Sequence, residues 1–475
     1  MDSPSLVREM PLEVFLQVSS YLTTPDLCAL RRTCKRTEAW LFDTFSLEFF
    51  TRKQFMLTEA SLQALIDISN HPTLSQCLRH VIIGLDNYDY SGRPIPHFSQ
   101  DAQANRYRAG LADQFTLLST GQDRDMLACA FRNLPNLQTV GLRDYSSGGR
   151  VRDNGQWHSH GATTIFEETG VRLAGGYRQV AIDTDLRYAS RAFSSVLYAL
   201  GQSGARPPAF EVLLKKRGFG LRDYAFNIPN FLEPSVTPVL SSLKTLLLGV
   251  SLANETIFDT PEANNFPGLD SRDFRFRQFF HHTPNLTHLR LNFQNVETSN
   301  DEGFLVWLGR PALHPASPAA VALSQLRRLD IGMLTVSPHV LLDVIRKFQP
   351  TLRELSLWKI TLNSADQDRR RGKRVNVWAK FFAKLSDLDH ISVGCLSQLS
   401  QKEQQQVGFK PVDSQADAWR ISRDYSRDDM LDFPHNLVRD VLLEWPEGGS
   451  DGEDESMSDD TSDDYDNDTD MDDDE

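Results

Sequence analysis

The chain has 475 residues, 40% of them apolar and 10% aromatic, which leaves room for a large hydrophobic core and more than one folded unit. No stretch approaches the roughly 20 apolar residues of a membrane-spanning helix, and the first ten residues lack the basic and apolar regions of a secretory signal. Of the 64 acidic residues, fifteen follow Ser450, where no basic residue occurs, so the other 450 residues hold 49 acidic against 50 basic ones. A body this close to neutral argues against strong nucleic-acid binding, which needs many basic side chains on one surface.

The first predicted elements are three short helices within residues 10–45. Pro11 fits the first turn of a helix, where no backbone N–H is needed, and a threonine before Pro25 is placed to cap the second helix. Three helices this short cannot bury all their apolar side chains among themselves, so the surplus apolar surface predicts a binding site. The apolar residues in question are Val14, Phe15, Val18, Tyr21, Leu22, Leu27, Leu30, Trp40, Leu41 and Phe45.

This stretch resembles the F-box, whose pattern is Leu-Pro-x-Glu, then Ile or Val, Ser-Tyr-Leu, Asp-Leu, a Leu and a Cys. The matching residues are Pro11, Leu12, Glu13, Val18, Ser20, Tyr21, Leu22, Asp26, Leu27, Leu30 and Cys34. The chain departs from the pattern with Met10 in place of Leu, and with Trp40 as the substitute for an aromatic residue usual near position 36. An ordinary helical cap on a larger domain is the alternative interpretation.

The resemblance implies that these helices dock on a Skp-family adaptor, which links the chain to a cullin. Buried apolar anchors usually dominate an interface of this kind. The residues expected to form the adaptor contact are Pro11, Leu12, Val14, Phe15, Val18, Leu22, Leu27 and Leu30.

A second pattern, Leu-x-x-Leu-x-Leu with Val or Ile as substitutes, returns throughout the middle of the chain. Its last apolar residues alternate with polar ones, which is typical of a short strand with one buried face. The copies begin at Leu78, Leu137, Leu243, Leu286, Leu326, Leu352 and Leu388, with a degenerate copy at 210–213.

A helix-like segment precedes most copies, and helix followed by strand is the unit of a leucine-rich repeat. These segments are residues 61–69, 126–131, 192–200, 274–280, 303–308, 337–348 and 375–385. From Leu243 the repeat spacing is irregular, with steps of 43, 40, 26 and 36 residues. The pattern resembles the divergent repeats of fungal F-box proteins; unrelated helices and strands in a compact fold are the alternative.

The predicted fold is therefore α/β, with an N-terminal three-helix F-box, an irregular leucine-rich-repeat solenoid with a parallel sheet, and a disordered acidic tail. The corresponding domains are residues 8–50, 55–445 and 446–475. Segments 86–113 and 146–186 are expected to be loop insertions.

Stacked repeats would leave the residues between the core positions on an outer face of the sheet. In the clearest copies these residues are Thr287, Arg290, Arg327, Asp330, Arg353, Glu354 and Ser356. They form either a mixed, weakly basic surface that binds a protein or a merely solvated face.

Sequence motifs for catalysis, metals or cofactors do not emerge. The chain contains no G-x-S-x-G, P-loop, G-x-G-x-x-G or H-E-x-x-H, and its paired histidines lack a further ligand at suitable spacing. Five scattered cysteines without a Cys-x-x-Cys pair favour free thiols in the cytosol or nucleus. The basic run 369–374 fits a nuclear import signal, a nucleic-acid patch or a solvated loop.

We therefore expect a non-catalytic substrate-recognition subunit of an SCF-type cullin-RING ubiquitin ligase, without cofactor or metal. The repeats would present a target protein that the sequence does not identify. Two alternatives remain: an F-box and repeat scaffold that acts outside the ligase, and a nuclear module that binds protein or nucleic acid.

Overall fold

A computed structural model gives the fold of most of the chain. It describes residues 10–88, 98, 100–150, 152, 155–173, 182–215, 220–252, 273–294, 301–312, 318–363, 376–385, 388–400, 403–409, 420–426, 438 and 441–443. The acidic tail predicted for 446–475 and the basic run 369–374 lie outside the described residues.

Three helices open the described chain: α1 (Leu12–Ser20), α2 (Thr24–Arg31) and α3 (Lys35–Phe50). The last of them is longer than predicted, because its apolar side continues to Phe50, which packs against both the bundle and the body that follows. The bundle's own core is small. Its fully buried apolar residues are Phe15, Leu27, Leu41 and Phe49.

Fifteen strands follow in the described residues. They are β1 (Arg52–Met56), β2 (His80–Gly84), β3 (Thr139–Arg143), β4 (Ser147–Arg150), β5 (Gly155–Trp157), β6 (Ala209–Leu213), β7 (Thr245–Val250), β8 (His288–Phe293), β9 (Arg328–Val336), β10 (Glu354–Asn363), β11 (His390–Gly394), β12 (Ser397–Ser400), β13 (Glu403–Phe409), β14 (Ser422–Ser426) and β15 (Val441–Leu443).

Thirteen of these strands form one sheet. From β1 to β11 its members are all parallel, in the order β1-β2-β3-β6-β7-β8-β9-β10-β11, so each new repeat adds a strand beside the previous one. Antiparallel pairing is confined to the last strands, where β14 pairs β11 and the series β12-β13-β15 continues from the end of β10. Strands β4 and β5 form a separate hairpin.

The strand register confirms the repeat prediction. One apolar residue from each copy aligns across eight neighbouring strands, and each of the eight is at most 1% exposed. This row comprises Val81, Val140, Phe210, Leu246, Leu289, Leu329, Leu355 and Ile391. An in-register parallel ladder with one apolar face is what stacked helix–strand repeats produce.

Eleven α-helices follow the bundle in the described residues, and most of them cover that apolar face of the sheet. They are α4 (Glu59–Asn70), α5 (Leu74–Cys77), α6 (Asp101–Thr120), α7 (Gln122–Arg132), α8 (Ala162–Thr169), α9 (Ile182–Ser203), α10 (Glu233–Ser242), α11 (Phe274–Phe280), α12 (Asp301–Gly309), α13 (Pro338–Phe348) and α14 (Val377–Phe382), with a 3-10 helix at Asp223–Phe226. Helix α8 is an exception, since it packs with Met56 on the other face of the sheet. In α13 the predicted start is observed: Ser337 is the extended N-cap, and Pro338 occupies the first turn, where no N–H is required.

The middle of the core is unusually aromatic. Phe193 packs edge-on against Phe226 at 5.3 Å between ring centroids, and the contacts continue from ring to ring as far as Trp307. Edge-to-face packing of this kind stabilises a core beyond the area that the rings bury. Among the described residues, no helix is both long and apolar enough to cross a membrane.

One strand was missed from the sequence, and two expectations about local structure were wrong. Strand β1 was not predicted, because Arg52 and Lys53 give it a polar start and only its end is buried. The segment 86–113 is not only a loop, since α6 begins at Asp101 within it and runs for 20 residues. The segment 146–186 likewise contains the β4–β5 hairpin and α8.

Candidate functional surfaces

An apolar stripe runs along the solvent side of α1. Pro11, Val14, Val18 and Tyr21 are spaced by three, four and three residues, which places them on one helical face. Val14 is 45% exposed, Val18 is 49% exposed and Tyr21 is 82% exposed. Phe15 and Ser19, on the neighbouring face of the helix, are buried in the bundle. The stripe therefore does not contribute to the bundle core and is available to a partner.

The eight residues predicted to bind an adaptor fall into three groups in the structure. Pro11, Leu12, Val14 and Val18 are exposed, Leu22 and Leu30 are partly buried, and Phe15 and Leu27 are buried. The four exposed residues can touch a partner, whereas the buried pair holds the helices together. Whether any of them binds an adaptor remains a prediction.

Tyr21 is the most exposed apolar residue of the bundle, but it was not among those eight residues. Its place in the spacing 11, 14, 18 and 21 was the signal that would have added it to the set.

Polar contacts fix the positions of the three helices. The Thr23 hydroxyl accepts a hydrogen bond from the Asp26 backbone N–H at 3.3 Å, which caps α2 as predicted. Arg31 donates from Nε and Nη2 to both carboxylate oxygens of Glu38, at 3.0 and 2.6 Å, and so joins α2 to α3. The same guanidinium lies 3.4 Å from the centre of the Phe45 ring.

The bundle joins the repeat body without a linker. Helix α3 ends at Phe50 and β1 begins at Arg52, and the Thr51 carbonyl between them accepts hydrogen bonds from the N–H groups of Arg79 and His80, both at 3.0 Å. The end of α3 is therefore held by the first strand connection of the body.

The second face of the sheet, opposite the helices, carries the residues between the core positions. We call it the open face. Strand alternation places Glu211, Arg290, Asp330, Ser356 and Ser392 here in one register row. Two of these residues are carboxylates at the centre of charge clusters, and the two clusters differ in their surroundings.

The first cluster surrounds Glu211 on the early strands. Arg143 Nη2 donates to Glu211 Oε1 at 2.5 Å, and His80 Nε2 lies 3.0 Å from the same oxygen. Burial alone would raise the pKa of Glu211, but the hydrogen bonds and charges of His80 and Arg143 outweigh it and lower that pKa. Next to this cluster Gln54 is buried, and its Nε2 donates to Ser159 Oγ at 3.0 Å. The insertion after β3 therefore covers the open face at this end.

The second cluster surrounds Asp330 on the later strands. Arg290 donates to Asp330 Oδ2 from Nε and Nη2, at 2.9 and 2.7 Å, and Arg328 Nε donates to Oδ1 at 3.0 Å. Burial acts to raise the pKa of Asp330, yet hydrogen bonds from His288 and Arg328 and the charge of Arg290 hold it well below its usual range. Asp330 lies on the open face, as the strand pattern predicts, but it is buried there among these side chains, and its arginine partners are matched by carboxylates.

Trp358 is the large apolar residue exposed on this later part of the open face. It is 41% exposed, and its indole ring occupies the space that a Cβ on Gly394 would need. The glycine therefore makes room for the aromatic ring, with Ser356 and Ser392 in the adjacent row. Because tryptophan is enriched at the hot spots of protein interfaces, Trp358 is a candidate contact for a partner.

Paired histidines do not assemble a metal site in the described structure. His158 Nδ1 lies 3.1 Å from Ser146 Oγ, and His282 Nδ1 lies 3.0 Å from Thr237 Oγ1, so each ring has an ordinary hydroxyl neighbour. Within the described ranges no group of three His, Cys, Asp or Glu side chains is placed to hold a metal ion.

Comparison with known proteins identifies the N-terminal bundle. The F-box-like family model matches residues 7–47, which include α1, α2 and most of α3. No curated protein matches the chain. Among solved structures it is similar to the leucine-rich repeat-containing protein LegL7 from Legionella pneumophila, at 11% identity and a TM-score of 0.27, over 74% of this chain and 91% of that one. The repeat assignment here rests on the strand register.

Proposed function

We propose that the chain is the substrate-recognition subunit of an SCF-type cullin-RING ubiquitin ligase. The observation that carries this proposal is the apolar stripe of α1, which lies within the F-box-like match and serves no purpose in the bundle core. F-box domains generally bind Skp-type adaptors, and F-box proteins are generally non-catalytic adaptors. The stripe is thus proposed to dock on a Skp-family adaptor and, through it, on a cullin.

The ligase mechanism proposed here is proximity. A target protein held by the repeat body stays close to the ubiquitin-conjugating enzyme that the cullin carries, so the effective concentration of its lysines rises without chemistry from this chain. The direct connection from α3 to β1 supports such a role, because it leaves no flexible linker between the adaptor-binding bundle and the body.

We place target binding on the later part of the open face, around Trp358 and the Asp330 cluster. At the other end the insertion covers Gln54 and the strands beside it. Irregular repeat spacing supports the fungal kind of F-box protein, and the free thiols support a cytosolic or nuclear location. The domain limits of 8–50, 55–445 and 446–475 belong to the same proposal.

A pull-down of the tagged full chain tests the proposal, with wild type beside a Pro11→Ala, Leu12→Ala double variant. Both residues are exposed, so the substitutions leave the bundle core intact. Wild type should retain the Skp-family adaptor and the cullin, and the variant should lose both. An adaptor without a cullin would contradict the ligase role and point to an F-box scaffold; neither protein with wild type would refute adaptor docking.

A further inference from the structure

Arg152, between β4 and β5 in the insertion after β3, contacts the F-box-like bundle. Its Nη1 donates to the carbonyl of Ser19 at 2.9 Å and to the carbonyl of Leu22. Its Nε and Nη2 donate to the two carboxylate oxygens of Glu48, at 2.8 and 2.9 Å. The side chain is only 7% exposed, so these contacts form away from bulk water.

The two sets of contacts lie on different helices. Ser19 is in the last turn of α1, where the helix dipole is negative, and Leu22 follows the end of that helix. The Ser19 carbonyl also accepts a hydrogen bond from the Leu22 N–H at 3.3 Å. Glu48 is near the end of α3. One planar guanidinium therefore binds two carbonyls at the end of α1 and a carboxylate on α3 at the same time, a combination that lysine cannot reproduce.

The insertion itself is anchored to the repeat body. The N–H of His160 donates to the Gln54 carbonyl on β1 at 2.9 Å, and Ser159 Oγ donates to Asp86 at 2.5 Å. Gly84 on β2 has no room for a Cβ because Ser159 Oγ occupies that space. These contacts fix Ser159 and His160 of the insertion to β1 and to the end of β2.

Without Arg152 the bundle would be attached mainly along α3. That helix continues into β1, and Phe42 stacks on His71 of the body with 6.2 Å between ring centroids. Attachment along one helix permits rotation about that helix. A second attachment, through Arg152 at the C-terminal end of α1, prevents this rotation.

We propose that Arg152 is a positioning residue that sets the orientation of the F-box-like bundle, and with it the α1 stripe, relative to the repeat body. The proposal rests on the proposed function for its biological meaning, since a proximity mechanism requires a fixed geometry between the adaptor surface and the target surface. The orientation itself is a property of this chain alone.

The test measures the distance between the bundle and the body in the full chain. Two fluorophores are introduced through unnatural amino acids at Gln17 and Lys244, both exposed, and the distance distribution is obtained from time-resolved energy transfer. Wild type should give one narrow distribution, and Arg152→Ala should broaden it. Arg152→Lys should broaden it too, because the single ammonium cannot hold Glu48 and both carbonyls together.

Two further variants serve as controls for this measurement. Arg172→Ala removes an exposed arginine of the same insertion, whose guanidinium lies 5.0 Å from the Phe166 ring centre, and should leave the distribution unchanged. Glu48→Gln keeps the shape of its side chain but weakens the ion pair, and combined with Arg152→Ala it should add no further broadening. An unchanged distribution in Arg152→Ala, with the body still folded, would overturn the proposal.

Adaptor titration separates this proposal from the proposed function. Arg152 does not belong to the stripe, so Arg152→Ala should bind the Skp-family adaptor within about twofold of the wild-type affinity. If wild type binds no adaptor, the proposed function fails while the orientation result stands. If Arg152→Ala abolishes adaptor binding without broadening the distances, Arg152 is part of the interface and the positioning role is refuted.

Discussion

The F-box-like bundle and the repeat body use their apolar residues in opposite ways. In the body, each apolar residue of the aligned row is at most 1% exposed, so these residues form the core and are not available to a partner. In the bundle, Phe15, Leu27, Leu41 and Phe49 form a small core, while Val14, Val18 and Tyr21 stay in solvent. Apolar character alone therefore does not mark a core residue, because a small domain can leave apolar side chains exposed on a surface that binds a partner.

The largest effect expected from this contrast is on stability. Leu291→Ala should lower the free energy of unfolding by about 3 kcal/mol, since it removes a fully buried side chain from a packed core and leaves a cavity. Tyr21→Ala should change it by less than about 0.5 kcal/mol, as for most exposed positions. Chemical denaturation of the two variants measures both changes in the free energy of unfolding. A decrease of similar size in Tyr21→Ala would show that the stripe also stabilises the bundle.

A smaller effect is expected at the Asp330 cluster, where the body buries charge. Asp330→Asn should lower the free energy of unfolding by about 2 kcal/mol at neutral pH. This is less than the usual loss when a buried ion pair is broken, because Arg290 and Arg328 remain partly exposed to solvent.

The pH dependence of that cost has a definite sign. The pKa of Asp330 is lowered in the folded chain, so its contribution is present above the ordinary aspartate pKa of about 4 and is lost as the pH falls below it. Denaturation of wild type and variant at several pH values should show the two converging at low pH. A difference that grows as the pH falls would show that this electrostatic account is wrong.

The smallest expected effect concerns backbone strain in the body. Met333, Lys359 and Cys395 stand at matching points of consecutive repeats and all have positive φ, which is 54° for Lys359. A left-handed backbone is unfavourable for a residue with a Cβ, so Lys359→Gly should stabilise the chain by about 0.5 kcal/mol after the extra flexibility of glycine is subtracted. Thermal unfolding measures the gain; destabilisation would mean that the lysine side chain makes a contribution of its own.

Much of the repeat fold could be predicted, because its signal is local. Alternating Leu, Val or Ile residues predict most of the repeat strands. Even in the degenerate copy, Phe210 and Val212 were sufficient to predict the strand. The N-cap at Thr23 and the start of α13 at Pro338 were likewise local. Strand β1 was missed because its polar first half hides the alternation, and α6 because a loop-like composition precedes it.

The candidate surfaces were predictable only in part. The spacing of α1 marks the stripe, but only the packing of α2 and α3 decides that Val18 is exposed while Leu27 is buried. Asp330 looked like a solvated residue until the register placed arginines of two strands around it. Arg152 gives no sequence signal, since its partners Ser19 and Glu48 lie more than 100 residues away.

Calorimetric titration of a purified Skp-family adaptor into the full chain tests directly whether the α1 stripe docks on the adaptor. Wild type should bind, and a Val18→Ala, Tyr21→Ala double variant should bind at least about tenfold more weakly, because it truncates two side chains of the α1 stripe that are more exposed than Val14. Phe231→Ala, which removes an equally exposed aromatic ring from the repeat body, should match wild type. Wild-type affinity in the double variant, or no binding by wild type, would contradict adaptor docking through the α1 stripe.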